Sequence, residues 1–294
     1  MDAVNAAVAA HNARHAGGRT VEVVEDCSHA QGSRHKGRLA GTFTRVAAFS
    51  CMGGKSLACG EGGFLVTDDR ATFEKAVAFS HYSRHGELLT DPALRAGAGV
   101  PWGGCKGRMN QTCSAMGRVQ LRHYPRRIDE IQSAMHRFWD LLEAWHCPGV
   151  RAHRPPPAER AAGSTMGGWY AARAHYLPEE LGGLPLARFV DALNAEGVLS
   201  GNFAPQLQGC TMGVVAGVNS PLHLHAFFNG KTDDVGGAGA AAGAARGALP
   251  HAEACGARSL AVPWLKHDRP GDIERIAAAF LKVASQADKL LEEA

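Results

Sequence analysis

Two side chains between positions 26 and 55 are of the types that carbonyl chemistry uses: Asp26 and Lys55. Lys55 stands in a loop after an apolar run, preceded by Gly53 and Gly54 and followed by Ser56. Glycines let a backbone approach a ligand closely, and a lysine amine placed there can condense with a carbonyl to form a Schiff base. The plainer reading of a loop lysine is a solvated surface charge. Asp26 ends a run of valines and glutamates, where a carboxylate either caps the next turn or faces the crevice at the carboxyl end of a sheet. His29, three residues on, could be a surface imidazole, a ligand contact or half of a metal site. No third ligand is spaced to complete such a site, so no metal is expected. The run Cys59-Gly60-Glu61-Gly62-Gly63 has the glycines of a nucleotide phosphate loop but leads into a strand instead of opening a helix, which argues against dinucleotide binding.

The elements around these residues follow from periodicity. Val4, Ala7, Val8 and Ala10 fall at helical spacing and Gly17-Gly18 stops that helix before the run Val21 to Val24, so helix, turn and strand deliver Asp26. Val46 to Ser50 reads as a second strand ending at the Lys55 loop, and Gly63 to Thr67 as a third. Helical patterning covers Arg70 to Ser80 and then about Asn110 to Leu142, with an interruption expected at Pro125. The segment RAHRPPPAERAAGSTMGG reads as a loop near the domain boundary, because consecutive prolines are excluded from a helix interior. Beyond it, Trp169 to Tyr176 reads as a strand with Trp169 and Tyr170 in the core, Pro185 to Gly197 as an amphipathic helix, His223 and His225 as alternating strand residues of structural character, 236–250 as a loop, and Asp272 to Glu293 as one long helix.

Bulk composition removes several function classes. A formal charge of +3 from 31 basic and 28 acidic residues, spread along 294 positions, gives no concentrated field for nucleic acid. No stretch is long and apolar enough for a membrane span, and no secretory leader is apparent. The 8 cysteines contain no C-x-x-C pair; reduced thiols in a cytoplasm fit best, with Cys51 and Cys59 as small buried apolar residues.

Taken together, the stretches VVEDCSHAQGS and AAFSCMGGKSLACGEGGFLVTDD resemble the DegT/StrS-like sugar aminotransferases, fold-type-I enzymes of pyridoxal phosphate (PLP). An acidic strand end, a polar residue three positions on, a Phe-Ser strand, a lysine five after the serine and a Gly-Glu-Gly-Gly turn follow in that family's order. The stretch GCKGRMNQTCSAMGRVQLRHYPRRIDEI continues the likeness. The resemblance implies PLP as cofactor, Lys55 as its Schiff-base lysine and the general base, Asp26 as partner of the pyridinium nitrogen, His29 at the ring's phenolic oxygen and Ser50 at the phosphate. Many members carry an asparagine where this chain has Lys106, reaching the phosphate bound by the neighbouring subunit. Lys106 is thus implied as a cross-interface contact in a homodimer with a shared active site.

The same resemblance implies an α/β fold: an incomplete PLP-transferase large domain with a mostly parallel sheet and linking helices over 1–150, and a smaller C-terminal α+β domain over 151–294. It implies transamination of a keto-sugar, nucleotide-linked, or of a keto-cyclitol, with glutamate or glutamine as amino donor. The family's N-terminal phosphate loop and ring-stacking aromatic have no counterpart before Asp26, so weak PLP binding by this chain alone is expected. A competing expectation is a noncatalytic fragment or pseudoenzyme acting as an interaction module.

Overall fold

A computed structural model describes residues 1–81, 86–100, 106–170, 172–198, 221–224 and 246–292. The chain divides into two compact units, one of Met1–Gln132 with Pro155–Tyr170 and the other of Ser133–Arg154 with Ala171–Ala294.

The first unit opens with helix α1, Asp2–Arg14, which buries none of its residues; its alanines favour the helix intrinsically, without an apolar face packed on a core. Strands β1 (Val24–Asp26), β4 (Val46–Ser50) and β5 (Gly63–Val66) form a sheet in the order β1-β4-β5, and β2 (Arg34–His35) and β3 (Arg38–Leu39) pair as a separate ribbon. β1 is shorter than the valine run suggests. The Asn12 side chain takes both the N–H and the carbonyl of Val21, at 2.8 and 2.9 Å, while the ladder to β4 starts only at Val24 opposite Val46. Glu25, buried on β1, accepts hydrogen bonds from the N–H groups of Gly41, Phe43 and Thr44 at 2.7, 2.7 and 3.0 Å and so shapes the approach to β4.

The sheet is mixed instead of mostly parallel: β1 runs parallel to β4, and β5 returns antiparallel to it. The reason is the connection, since residues 51–62 make a loop with no crossover helix, and such a link returns the chain antiparallel. Helix α2 (Arg70–His81) and the short α3 (Pro92–Ala96) follow, and α4, Gln111–Ala144, contributes residues to both units. α4 continues through Pro125, contrary to the expected interruption. Pro125 lies on an exposed stretch beside the 58% exposed Leu121, whose carbonyl loses its helical donor but can bond water, and buried Tyr124 next to it anchors the helix.

In the second unit β6 (Val150–Ala152), β7 (Arg173–Tyr176) and β8 (Ser259–Ala261) form an antiparallel sheet. The core gathers fully buried Phe138, Tyr176, Phe189 and Phe280. Three sequence expectations are corrected here and at the neighbouring turn. The proline-rich loop holds a helix α5, Pro157–Ala161, because Pro157 occupies its first turn, where no N–H is required. The strand starts at Arg173, since Trp169 sits at a positive φ of 51° that no strand accommodates. The last helical segment breaks at Gln286 into Pro270–Ser285 and Ala287–Glu292. His223 lies in a 3-10 turn, paired with Glu253 at 2.9 Å, and His225 and residues 236–245 fall outside the described residues.

Candidate active site around Lys55

Parallel pairing of β1 with β4 brings two carboxyl ends side by side, so Asp26 closes one strand next to the loop that leaves the other. That loop is tied at its base, with Cys51 N–H donating to Gly62 O at 2.8 Å and Cys59 N–H to Cys51 O at 2.9 Å; Lys55 N–H turns onto Met52 O at 2.8 Å. Beneath it Cys51, Leu57, Cys59 and Tyr124 form a buried cluster. Burial pushes the Cys51 thiol up to about 11, which leaves it protonated and inert at neutral pH. Among the described residues no group of histidines, cysteines and carboxylates could hold a metal ion.

Asp26 is held below the usual carboxylate range, first by the Ser28 hydroxyl, then by the Ser28 N–H at 3.0 Å, with smaller help from the charges of His29 and Lys55. Both Ser28 bonds fall on Oδ1; among the described residues none falls on Oδ2. Lys55 Nζ lies 4.3 Å from the centroid of the Tyr170 ring, and the His29 ring meets the same tyrosine at 4.5 Å, inclined by 59°. Lys55, His29 and Asp26 therefore share one space, the first two both against Tyr170.

A buried amide holds these loops together. Gln31, 2% exposed, donates from Nε2 to Ser50 O at 2.6 Å and to Ser28 O at 2.9 Å. Its backbone carbonyl accepts from the Tyr124 hydroxyl at 3.0 Å and from Gly168 N–H at 3.3 Å, and the Tyr124 hydroxyl also bonds that of Ser56 at 2.6 Å. Ser50 is half-buried at the end of β4 and its hydroxyl accepts from Met52 N–H at 3.3 Å. Lys106 stands apart: it is exposed before α4, and among the described residues no hydrogen bond or ion pair joins it to this group.

An ionised acid with one open oxygen, a half-buried amine, an imidazole and a hydroxyl are a donor set that fits pyridoxal phosphate. Two members of the constellation were not foreseen from the sequence. Tyr170 was expected in the core, yet it is half-buried against Lys55, and Gln31 carried no motif signal. The dipeptide Trp169-Tyr170 on a glycine pair was the one hint available.

The DegT/DnrJ/EryC1/StrS aminotransferase family profile matches residues 7–181. The chain belongs to that family. Its cofactor is pyridoxal phosphate. The chain is 29% identical over 177 residues to L-glutamine:2-deoxy-scyllo-inosose aminotransferase of Streptoalloteichus tenebrarius, a match covering 59% of this chain and 40% of that protein. It is 33% identical over 103 residues to GDP-perosamine synthase of Escherichia coli O157:H7, covering 35% of this chain and 26% of that one. The chain thus spans well under half the length of these curated relatives. In fold it is similar to the aminotransferase from Psychrobacter cryohalolentis, with a TM-score of 0.73 at 20% identity, covering 98% of this chain and 66% of that one. Among the described residues no helix is long and apolar enough to cross a membrane.

Proposed function

We propose that this chain contributes the reactive lysine of a PLP-dependent aminotransferase that places an amino group on a keto-sugar or keto-cyclitol, with glutamine or glutamate as donor. The observation that carries the reading is the meeting of Lys55 and His29 on one ring beside an ionised Asp26, at the shared carboxyl ends of β1 and β4. When bound, pyridoxal phosphate supplies the electron sink that lets an amino group leave one carbon and join another. The chain's own groups would divide the remaining work. Asp26 Oδ2 would keep a proton on the ring nitrogen, His29 would bond the phenolic oxygen, and Ser50 and, across a homodimer interface, Lys106 would face the phosphate. Lys55 Nζ would serve as nucleophile and then as the base that moves a proton between two carbons.

The choice of acceptor and donor rests on the relatives' named activities, one of which pairs glutamine with a keto-cyclitol. Incubation with PLP, borohydride reduction and peptide mapping test the site. A reduced adduct on Lys55, lost in Lys55→Ala, is expected, followed by amino transfer from glutamine to an inosose or a nucleotide-linked keto-sugar. An adduct on another lysine overturns the assignment, and a folded chain with no adduct points to a noncatalytic module.

A further inference from the structure

The segment 166–170 is built to press one ring onto Lys55. Trp169 holds a positive φ of 51°, a conformation unfavourable for a bulky residue that persists only where its surroundings impose it. Its indole, 1% exposed, donates to Gln132 Oε1 at 2.6 Å. Gly168 lies so close to Ser56 that a Cβ there would sit 2.2 Å from its hydroxyl, and Gly167, at φ 57°, would meet Ser33 N at 2.5 Å. Both glycines thus pack on the loops that carry His29 and Lys55, and the next side chain out is Tyr170.

We infer that Tyr170 is a positioning residue that holds the Lys55 amine, in its charged form, against its ring face and beside His29. A ring quadrupole attracts an ammonium and not a neutral amine, so the contact at 4.3 Å favours the protonated lysine and fixes where its nitrogen waits. Among the described residues, two titratable groups face the same space: Asp26, whose negative charge acts in the same direction, and His29, which opposes it when protonated. Under the reading above, on which the relevance to catalysis rests, Tyr170 delays the free lysine's return to a nucleophile and keeps it a proton donor in place.

Pulse acetylation of the full chain across the lysine titration range, with peptide mass spectrometry, reads the charge state of Lys55 directly, with exposed Lys75 on α2 as internal reference. In Tyr170→Leu, Lys55 should label about two- to fivefold faster below its midpoint, while Tyr170→Phe, which keeps the ring face, follows the unsubstituted profile. Superimposed profiles for the leucine variant and the parent overturn the inference. So does a phenylalanine variant shifted as far as leucine, which would assign the effect to the hydroxyl. If the leucine variant unfolds, the parent still decides: the Lys55 ε-methylene protons should resonate upfield under the Tyr170 ring current, and an unshifted resonance sinks the contact. Borohydride mapping is a separate readout, so an adduct away from Lys55 would end the aminotransferase reading and leave the Tyr170 contact to be judged by labelling alone.

Discussion

Replacing Gln31 by leucine should loosen the Lys55 loop and cost the first unit about 1.5–4 kcal/mol, as the sum of three unequal losses. The Nε2 bond to Ser50 O is the short one, at 2.6 Å, and that carbonyl precedes buried Cys51; left without a donor it costs about 1–3 kcal/mol. The carbonyl of half-buried Ser28, at 2.9 Å, can recruit water, so its loss is nearer about 0.5–1 kcal/mol. The Ser56 hydroxyl lies 3.4 Å from Gln31 Oε1 and keeps its Tyr124 partner at 2.6 Å, so it adds little. Leucine fills similar space, which removes packing as an alternative explanation. Native-state amide exchange of the peptide covering 51–62 should accelerate, since the amides of Cys51, Lys55 and Cys59 close this loop, and urea denaturation should give the free energy. Gln31→Glu should be worse than leucine, because a carboxylate would face two carbonyl oxygens. A leucine variant within about 0.5 kcal/mol of the parent, with unchanged exchange at 51–62, would refute the claim that this amide holds the loops.

Gly168→Ala places its Cβ 2.2 Å from the Ser56 hydroxyl and should destabilise by about 1–3 kcal/mol in denaturant titration, with faster labelling of Lys55 as the turn backs away. Phe280→Ala removes a fully buried ring that meets Phe138 at 5.4 Å and Phe189 at 6.3 Å; a loss of about 3–5 kcal/mol, read as a lowered denaturant midpoint for the second unit, is expected. Buried Glu74 accepts from the Thr90 hydroxyl, from Asp91 N–H at 2.8 Å and from Arg70 at 2.6 Å, and these bonds pull its carboxyl from 4.5 to about 2. Between those values the folded chain binds fewer protons than the unfolded chain, so the contribution is whole above pH 4.5 and falls away as pH drops towards about 2; Glu74→Gln should flatten that part of a stability–pH curve.

What could be read in advance was what local pattern controls. The strand at Val46 and the helix at Arg70 appear close to their expected bounds because an apolar alternation or a helical stripe needs no distant partner to declare itself. β1 was placed too early because Val21 bonds the Asn12 side chain instead of a ladder partner, and pairing begins only at Val24 opposite Val46. Pro125 was over-read for a related reason. A proline removes one donor and crowds one carbonyl, but whether that breaks a helix depends on water reaching the carbonyl and on how the helix is packed nearby, where Tyr124 is held by Gln31 and Ser56.

The candidate site divides along the same line. A strand end marks Asp26 and a glycine loop marks Lys55, whereas His29 and Ser50 were picked out only by likeness to the family's order of residues; the parallel register of β1 on β4 brings the two strand ends together. Tyr170 was not legible in the sequence, because its position depends on Trp169 adopting a backbone angle that its own bulk disfavours. That angle is stabilised by an indole hydrogen bond to Gln132 and by two glycines seated on other loops, none of which a linear pattern encodes. The residues proposed for carbonyl chemistry were chosen by side-chain type and order along the chain. The ring that Lys55 Nζ meets is brought to it by packing across more than a hundred residues of chain, and only the folded structure exposes that contact.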